Sequence, residues 1–400
     1  MFERVTRRGV TGMLAAGAVA VGIATVPLQQ AMAAADFTDK RIRIIVPFNE
    51  GGGTDSLTRA LVPFMERYLP GKPKILVVNK PGAGGIVGAN FFESRAKKDG
   101  TWVMALSTST VMNYLLGDPR VKFDVKGWEP IILLPRGNMV YARAELGLKG
   151  LSPKAIVAKL RSHPQDKLVF GGKTPTSSAI NKRMALSLLG VEVKDVWGMK
   201  GNGPMAQAFE RGEFTLNFDN SLSYLNNRKG FRKAGIATEL YTHGAPDAKG
   251  NWTDANGKYN RDPTWPNVPT FYELYEEGAG GKFDNPAAKA TLALIRVGTA
   301  ANKSFHLPKG ADKDALAAWR NALRKTMDDP DFAKKKAKVL GKFNVTIGED
   351  ARKALHAAIN LSADERAYVK KYIKEKNLER PDRDVFEVLE KRVKRYLKKG

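Results

Sequence analysis

Apolar, β-branched runs that end in glycine recur in the first quarter of the chain. Residues 42–46 (Ile-Arg-Ile-Ile-Val) lead into Pro47-Phe48-Asn49-Glu50-Gly51-Gly52-Gly53-Thr54-Asp55, and residues 75–78 lead into Asn79-Lys80-Pro81-Gly82-Ala83-Gly84-Gly85. A third apolar run covers 102–106. The first two predict a strand, a tight loop and then a helix starting near Asp55 and near Gly88. Strands this apolar, alternating with helices, predict a parallel sheet covered on both faces. Pro63 falls inside the first of these helices, where it would kink or shorten the element. A glycine cluster between strand and helix leaves backbone N–H groups bare at the positive helix end, a setting for an anion. Two such loops on neighbouring strands can grip one carboxylate.

The same pattern restarts near Val140. Ser152-Pro153 predicts an N-cap with a first-turn proline, and His163-Pro164 ends that helix. Strands are then expected at 168–170, 193–197 and 214–218, with a helix at 179–189. Polar and glycine residues gather after these strands: Thr174, Thr176 and Ser177, then Lys200, Gly201, Asn202 and Gly203, then Asp219 and Asn220. Open α/β sheets take their ligands at such carboxyl ends. The expected fold is therefore α/β and bilobal, with two mixed or parallel sheets flanked by helices and a cleft between the lobes. A 400-residue chain suits two lobes, since single cores stop growing near about 250–300 residues.

The expected organisation runs as an export signal over 1–35, lobe one over 36–139, lobe two over 140–265, and a return to lobe one over 266–377. Helices are expected at 311–327, 330–340 and 351–376. Residues 247–262, rich in Asn, Gly, Lys and Asp, read as a surface insertion without a core of its own. Residues 378–400 read as a basic amphipathic tail helix docked on lobe one.

The start of the chain has Arg4, Arg7 and Arg8, an apolar segment over 10–28 and the small-residue site Ala31-Met32-Ala33-Ala34-Ala35. That is the pattern of an export signal, with a hint of the twin-arginine route, and implies the periplasm. Cysteine is absent, which excludes disulfides, thiolate chemistry and a lipoprotein anchor. The net charge is +25, and removing residues 1–35, with three Arg and one Glu, leaves +23. Such a field draws anions and raises polyanion or membrane binding as a rival function. The charge is spread along the chain with no arginine-rich block, so no nucleic-acid partner is expected.

Sharper motifs fail. Gly82–Gly88 misses the dinucleotide pattern by one residue, and Gly172-Lys173-Thr174 lacks the rest of a P-loop, with Lys167 where its first glycine belongs. His163, His243, His306 and His356 have no metal spacing and are expected as ordinary loop or helix residues. No nucleophile elbow occurs, and Asp55 suits a helix start better than a general base. Neither enzyme, cofactor nor metal is expected.

The ordered set of loops resembles the periplasmic receptors of tripartite tricarboxylate transporters, the Bug receptors. It comprises Pro47-Phe48 with Gly51-Gly52, Thr54-Asp55 and Arg59; Asn79 to Gly85; Lys98-Asp99-Gly100-Thr101; Val196 to Pro204; Phe218-Asp219-Asn220; and Pro266-Asn267-Val268-Pro269-Thr270-Phe271. Glu50 replaces an expected proline, and Trp197-Gly198-Met199 a more usual Pro-Tyr. The resemblance implies a monomeric receptor that binds a small carboxylate between two lobes and feeds an integral-membrane permease; a co-receptor for a sensor kinase is the alternative. On this reading Gly51, Gly52, Gly53, Thr54 and Asp55, with Gly82, Ala83, Gly84 and Gly85, hold one carboxylate through backbone N–H groups and water. Thr174, Thr176, Ser177 and Lys200 to Gly203 close from the second lobe, and Asp219 and Asn220 face the far end of the ligand. Gly84→Val is then expected to abolish binding and leave folding intact.

Overall fold

The computed structural model describes residues 35–247 and 251–378. The expected export signal and tail helix, Ala35 and Leu378 apart, lie outside these residues. The described strands are β1 (Arg41–Val46), β2 (Lys74–Asn79), β3 (Trp102–Ser107), β4 (Glu129–Leu134), β5 (Asn138–Arg143), β6 (Val169–Gly171), β7 (Lys194–Val196), β8 (Leu216–Asn220), β9 (Ala237–Thr242), β10 (Lys303–Leu307) and β11 (Thr346–Ile347). They form a six-stranded sheet of order β11-β4-β10-β3-β1-β2 and a five-stranded sheet of order β7-β6-β8-β5-β9.

Both sheets are mixed, as expected. In the first, β1 pairs in parallel with β2 and β3, while β10 runs antiparallel between β3 and β4. In the second, β6 pairs in parallel with β7 and β8, and β5 is antiparallel to β8 and β9. In β1, Ile42, Ile44, Ile45 and Val46 have no solvent exposure, whereas Arg41 and Arg43 are exposed, and the edge strand β2 leaves Leu76 exposed. Each buried apolar side chain contributes about 1.5–3 kcal/mol of transfer free energy.

The chain leaves the first sheet through Pro135, Arg136 and Gly137, only three residues between β4 and β5. It returns through helix Pro286–Ala300, whose Ala288 and Ile295 join the second sheet's core while Ala290, Leu294 and Val297 join a core of the first lobe. The return therefore comes later than residue 266, because Phe271, Tyr272 and Tyr275 still pack with the second sheet.

Three local expectations need revision. Helix Gly53–Tyr68 runs unbroken through Pro63, which lies on the exposed face, where water can serve the carbonyl left without a donor. Residues 251–262 are no coreless insertion: Tyr259 stacks on Tyr272 with centroids 3.9 Å apart, and Asp262 is fully buried. The helix expected over 351–376 divides into Glu349–Ala358 and Ala363–Glu375, because Ser362 and Glu365 form a capping box that starts a new helix.

Candidate functional site

The two glycine loops reach the interface between the lobes, and each meets a different partner there. In the first, Gly51 N–H donates to Asp55 Oδ2 at 3.0 Å, and Asn79 Nδ2 donates to Asp55 Oδ1 at 3.0 Å and to the Phe48 carbonyl at 2.9 Å. Arg59 Nε donates to the same carboxylate at 3.0 Å. Asp55 thus ties the end of β2 to the β1 loop. Gly53 presses on the second lobe: a Cβ there would lie 2.7 Å from Asn220 Nδ2 and collide with Ser223 Oγ. Asn220 itself caps helix Ser221–Asn227, accepting from Ser223 N–H at 2.9 Å.

The second loop winds through positive φ at Gly82, Ala83, Gly84 and Gly85. Its Gly84 carbonyl accepts from Asn113 Nδ2 at 3.1 Å. Asn113 Oδ1 in turn takes Thr174 Oγ1 at 2.9 Å, and Thr176 Oγ1 lies 2.8 Å from it and 2.7 Å from Asp118 Oδ2. Ser177 Oγ donates to the Thr174 carbonyl at 2.7 Å and closes the turn. Gly84, Asn113, Asp118, Thr174 and Thr176 therefore make a charge-balanced polar clasp across the lobes, with Asp118 ion-paired to Arg120 at 2.7 Å.

Beside this clasp lies a cavity of about 50 Å³, room for a few water molecules. Of the candidate residues, Gly52, Gly53, Thr54, Asn202, Asp219 and Asn220 line it. Gly82–Gly85, Thr174, Thr176 and Ser177 do not, Lys200 is exposed, and Gly201 and Gly203 face the backbone at Asn49 and Glu50. Asp219 is saturated within its own lobe: its carboxylate accepts from Tyr141 Oη at 3.1 Å, Asn202 Nδ2 at 3.0 Å and Arg228 Nε at 3.0 Å.

The rest of the lining was missed from sequence. Ser107, Thr108, Ser109, Asn138, Ser178 and Asn302 supply hydroxyls and amides, and Lys173 and Lys303 supply ammonium groups. Lys182 lies behind them, donating to Asn138 Oδ1 at 3.0 Å and the Ser178 carbonyl at 3.2 Å. All three lysines are buried, and among the described residues none forms an ion pair with a carboxylate. Lys173 and Lys182 instead lie 5.1 and 4.7 Å from the Phe218 ring centroid. Asn138 Nδ2 and Asn302 Oδ1 are buried and have no partner among the described residues.

Burial disfavours the charged ammonium, pushing Lys173 down to about 8 and Lys303 to about 7. Arg136 and Lys173 add to the shift at Lys303, while Asp219 partly opposes it at both. Lys182 falls well below the usual lysine range, first from burial and then from Lys173 and Lys303. The arrangement is a small, polar, net-positive chamber whose one lining carboxylate, Asp219, is already paired with Arg228. Only Gly172-Lys173-Thr174 drew attention to any of this in the sequence.

No family model matches the chain. It is 25% identical over 335 residues to the UPF0065 protein in the gbd 5′ region of Cupriavidus necator, spanning 81% of this chain and 85% of the relative. It is also 29% identical over 107 residues to protein BugT of Bordetella pertussis, 27% of this chain and 32% of that one. The chain is thus similar in sequence to a UPF0065 protein over most of its length and to a Bug protein over about a quarter of it.

Solved structures carry the same fold. Periplasmic binding protein BugD aligns with a TM-score of 0.61 at 19% identity, over 86% of this chain and 99% of that one. MatC from Rhodopseudomonas palustris, with bound malate, aligns with a TM-score of 0.59 at 18% identity, over 80% of this chain and 99% of that one. No described helix is long and apolar enough to cross a membrane, and no described group of His, Cys, Asp and Glu could hold a metal ion. Of the four histidines, His306 departs from the loop-or-helix expectation: it lies fully buried in β10.

Proposed function

We propose that this chain is an exported, monomeric solute receptor that holds a small carboxylate between its two lobes and hands it to a tripartite tricarboxylate-type permease. The observation that carries this reading is the interlobe cavity at the carboxyl ends of β3 and β8, lined by amides, hydroxyls and two lysines that form no ion pair with a carboxylate among the described residues. A carboxylate there gains roughly 1.5–3 kcal/mol from each charge-assisted hydrogen bond before ordering costs. Three such bonds approach the roughly 8 kcal/mol of a micromolar receptor.

The N-terminal ends of helices Gly53–Tyr68 and Thr108–Leu115 bring Gly53, Thr54 and Thr108 to the same chamber, so helix-end N–H groups add to the positive field. The malate held by the structural neighbour MatC agrees with a carboxylate cargo. Binding alone is proposed, with no catalytic step, and delivery follows from closure of two rigid lobes around the ligand. A calorimetric screen of mono-, di- and tricarboxylates tests the reading. Saturable binding of one carboxylate class supports it, and the absence of any such binding overturns it.

A further inference from the structure

The two ammonium groups in the cavity come from opposite lobes. Lys173 follows β6 of the second sheet, and Lys303 opens β10 of the first. Both are more than nine-tenths buried, and neither has a carboxylate partner among the described residues. Lys303 Nζ reaches only the neighbouring Asn302 carbonyl, at 3.2 Å. Buried like charges facing each other repel, and each also loses its hydration when the lobes meet.

We propose that Lys173 and Lys303 bind the anionic oxygens of the ligand directly, one from each lobe, and that their mutual repulsion holds the lobes apart until an anion lies between them. The proposal rests on the reading of the cavity as an anion receptor and adds the residues that couple occupancy to closure. The N–H groups of Gly53 and Thr54 belong to one lobe alone, so they can hold an anion without drawing the lobes together. A lysine on each side makes closure depend on the anion.

Other charges around the pair leave that balance positive. Lys182 and Arg136 are buried cations nearby, Asp219 is already paired with Arg228, and His243 is buried beside Lys182 with both ring nitrogens unpartnered. The downward shifts of Lys173 and Lys303 agree with ammonium groups that lack an anion.

The test titrates the purified protein with acetate, malonate, succinate and inorganic sulfate, following heat of binding and, by small-angle scattering, the radius of gyration. Lys173→Met and Lys303→Met are the variants; each removes a buried charge while keeping the aliphatic stem, so both should fold. The expected result is that the unaltered protein contracts only with a bound anion. Each variant should bind at least about tenfold more weakly and be contracted without ligand. Variants that bind as tightly as the parent, or that still need the anion to contract, overturn the proposal. Sulfate binding that the variants lose, without any carboxylate binding, upholds the lysine pair and overturns the carboxylate reading. A protein that binds none of the four overturns both.

Discussion

The clasp and the cavity lie side by side between the same two lobes, yet their chemistry is opposite. In the clasp, Asn113 is shared between the Gly84 carbonyl and the hydroxyls of Thr174 and Thr176, and each of these groups is partnered within the protein. In the cavity, among the described residues, Lys173 and Lys303 form no ion pair and Asn138 Nδ2 and Asn302 Oδ1 have no partner. A saturated network stabilises the lobe contact once it has formed, whereas an unsaturated, charged one opposes that contact until something enters it. The difference separates residues that make closure stable from residues that make it depend on a ligand.

Breaking the clasp should have the largest effect on stability. Gly84 has φ +63, and a Cβ there would lie 2.9 Å from Asn113 Nδ2 and 3.1 Å from Thr174 Oγ1. Gly84→Val combines backbone strain of about 1–3 kcal/mol with a clash. It should lower the unfolding temperature sharply, so the expectation that folding survives this change does not hold on this geometry. Asn113→Ala leaves the Thr174 and Thr176 hydroxyls and the Gly84 carbonyl short of partners, at a cost of about 1–3 kcal/mol by denaturant unfolding. Anion affinity should change much less.

Changes in the cavity should run the other way. Lys182→Met removes a buried amine whose charged form is disfavoured by burial, Lys173 and Lys303, so the ligand-free protein should gain roughly 1 kcal/mol by thermal unfolding. An unchanged or lower stability would show that the ammonium is compensated.

The buried lysines also give the cavity a pH dependence. The folded-state shift of Lys303 to about 7 lies below its ordinary value of 10.5. Across that window the unfolded chain holds a proton that the folded one has released, so stability contributed by this site rises with pH. Compared with the parent, Lys303→Met should lose part of that rise in melts between pH 7 and 9.

The first lobe's strands and both glycine loops were legible in the sequence. Residues 42–46 and 75–79 give a local signal, an apolar run that stops at glycine, and they form β1 and β2 with the expected ends to within a residue. The roles of those loops were less legible. Whether Gly84 faces a ligand or Asn113 depends on where helix Thr108–Leu115 sits, and no local pattern carries that. Lys303 was beyond reach for a related reason. Its strand reads Lys-Ser-Phe-His-Leu, yet all five residues are buried because β10 lies between β3 and β4. A lysine's burial is set by its neighbours in space, and its spacing to Lys173 and Lys182 in the chain says nothing of their meeting.

The most direct test is a thermal-unfolding titration of the parent protein, Asn113→Ala and Lys303→Met with malonate, succinate and citrate. A ligand at 100 times its dissociation constant stabilises by about 2.7 kcal/mol. One of these carboxylates should raise the unfolding temperature of the parent and of Asn113→Ala, and the rise should be largely lost in Lys303→Met. No rise with any of them, or an equal rise in all three proteins, would contradict this reading of the cavity.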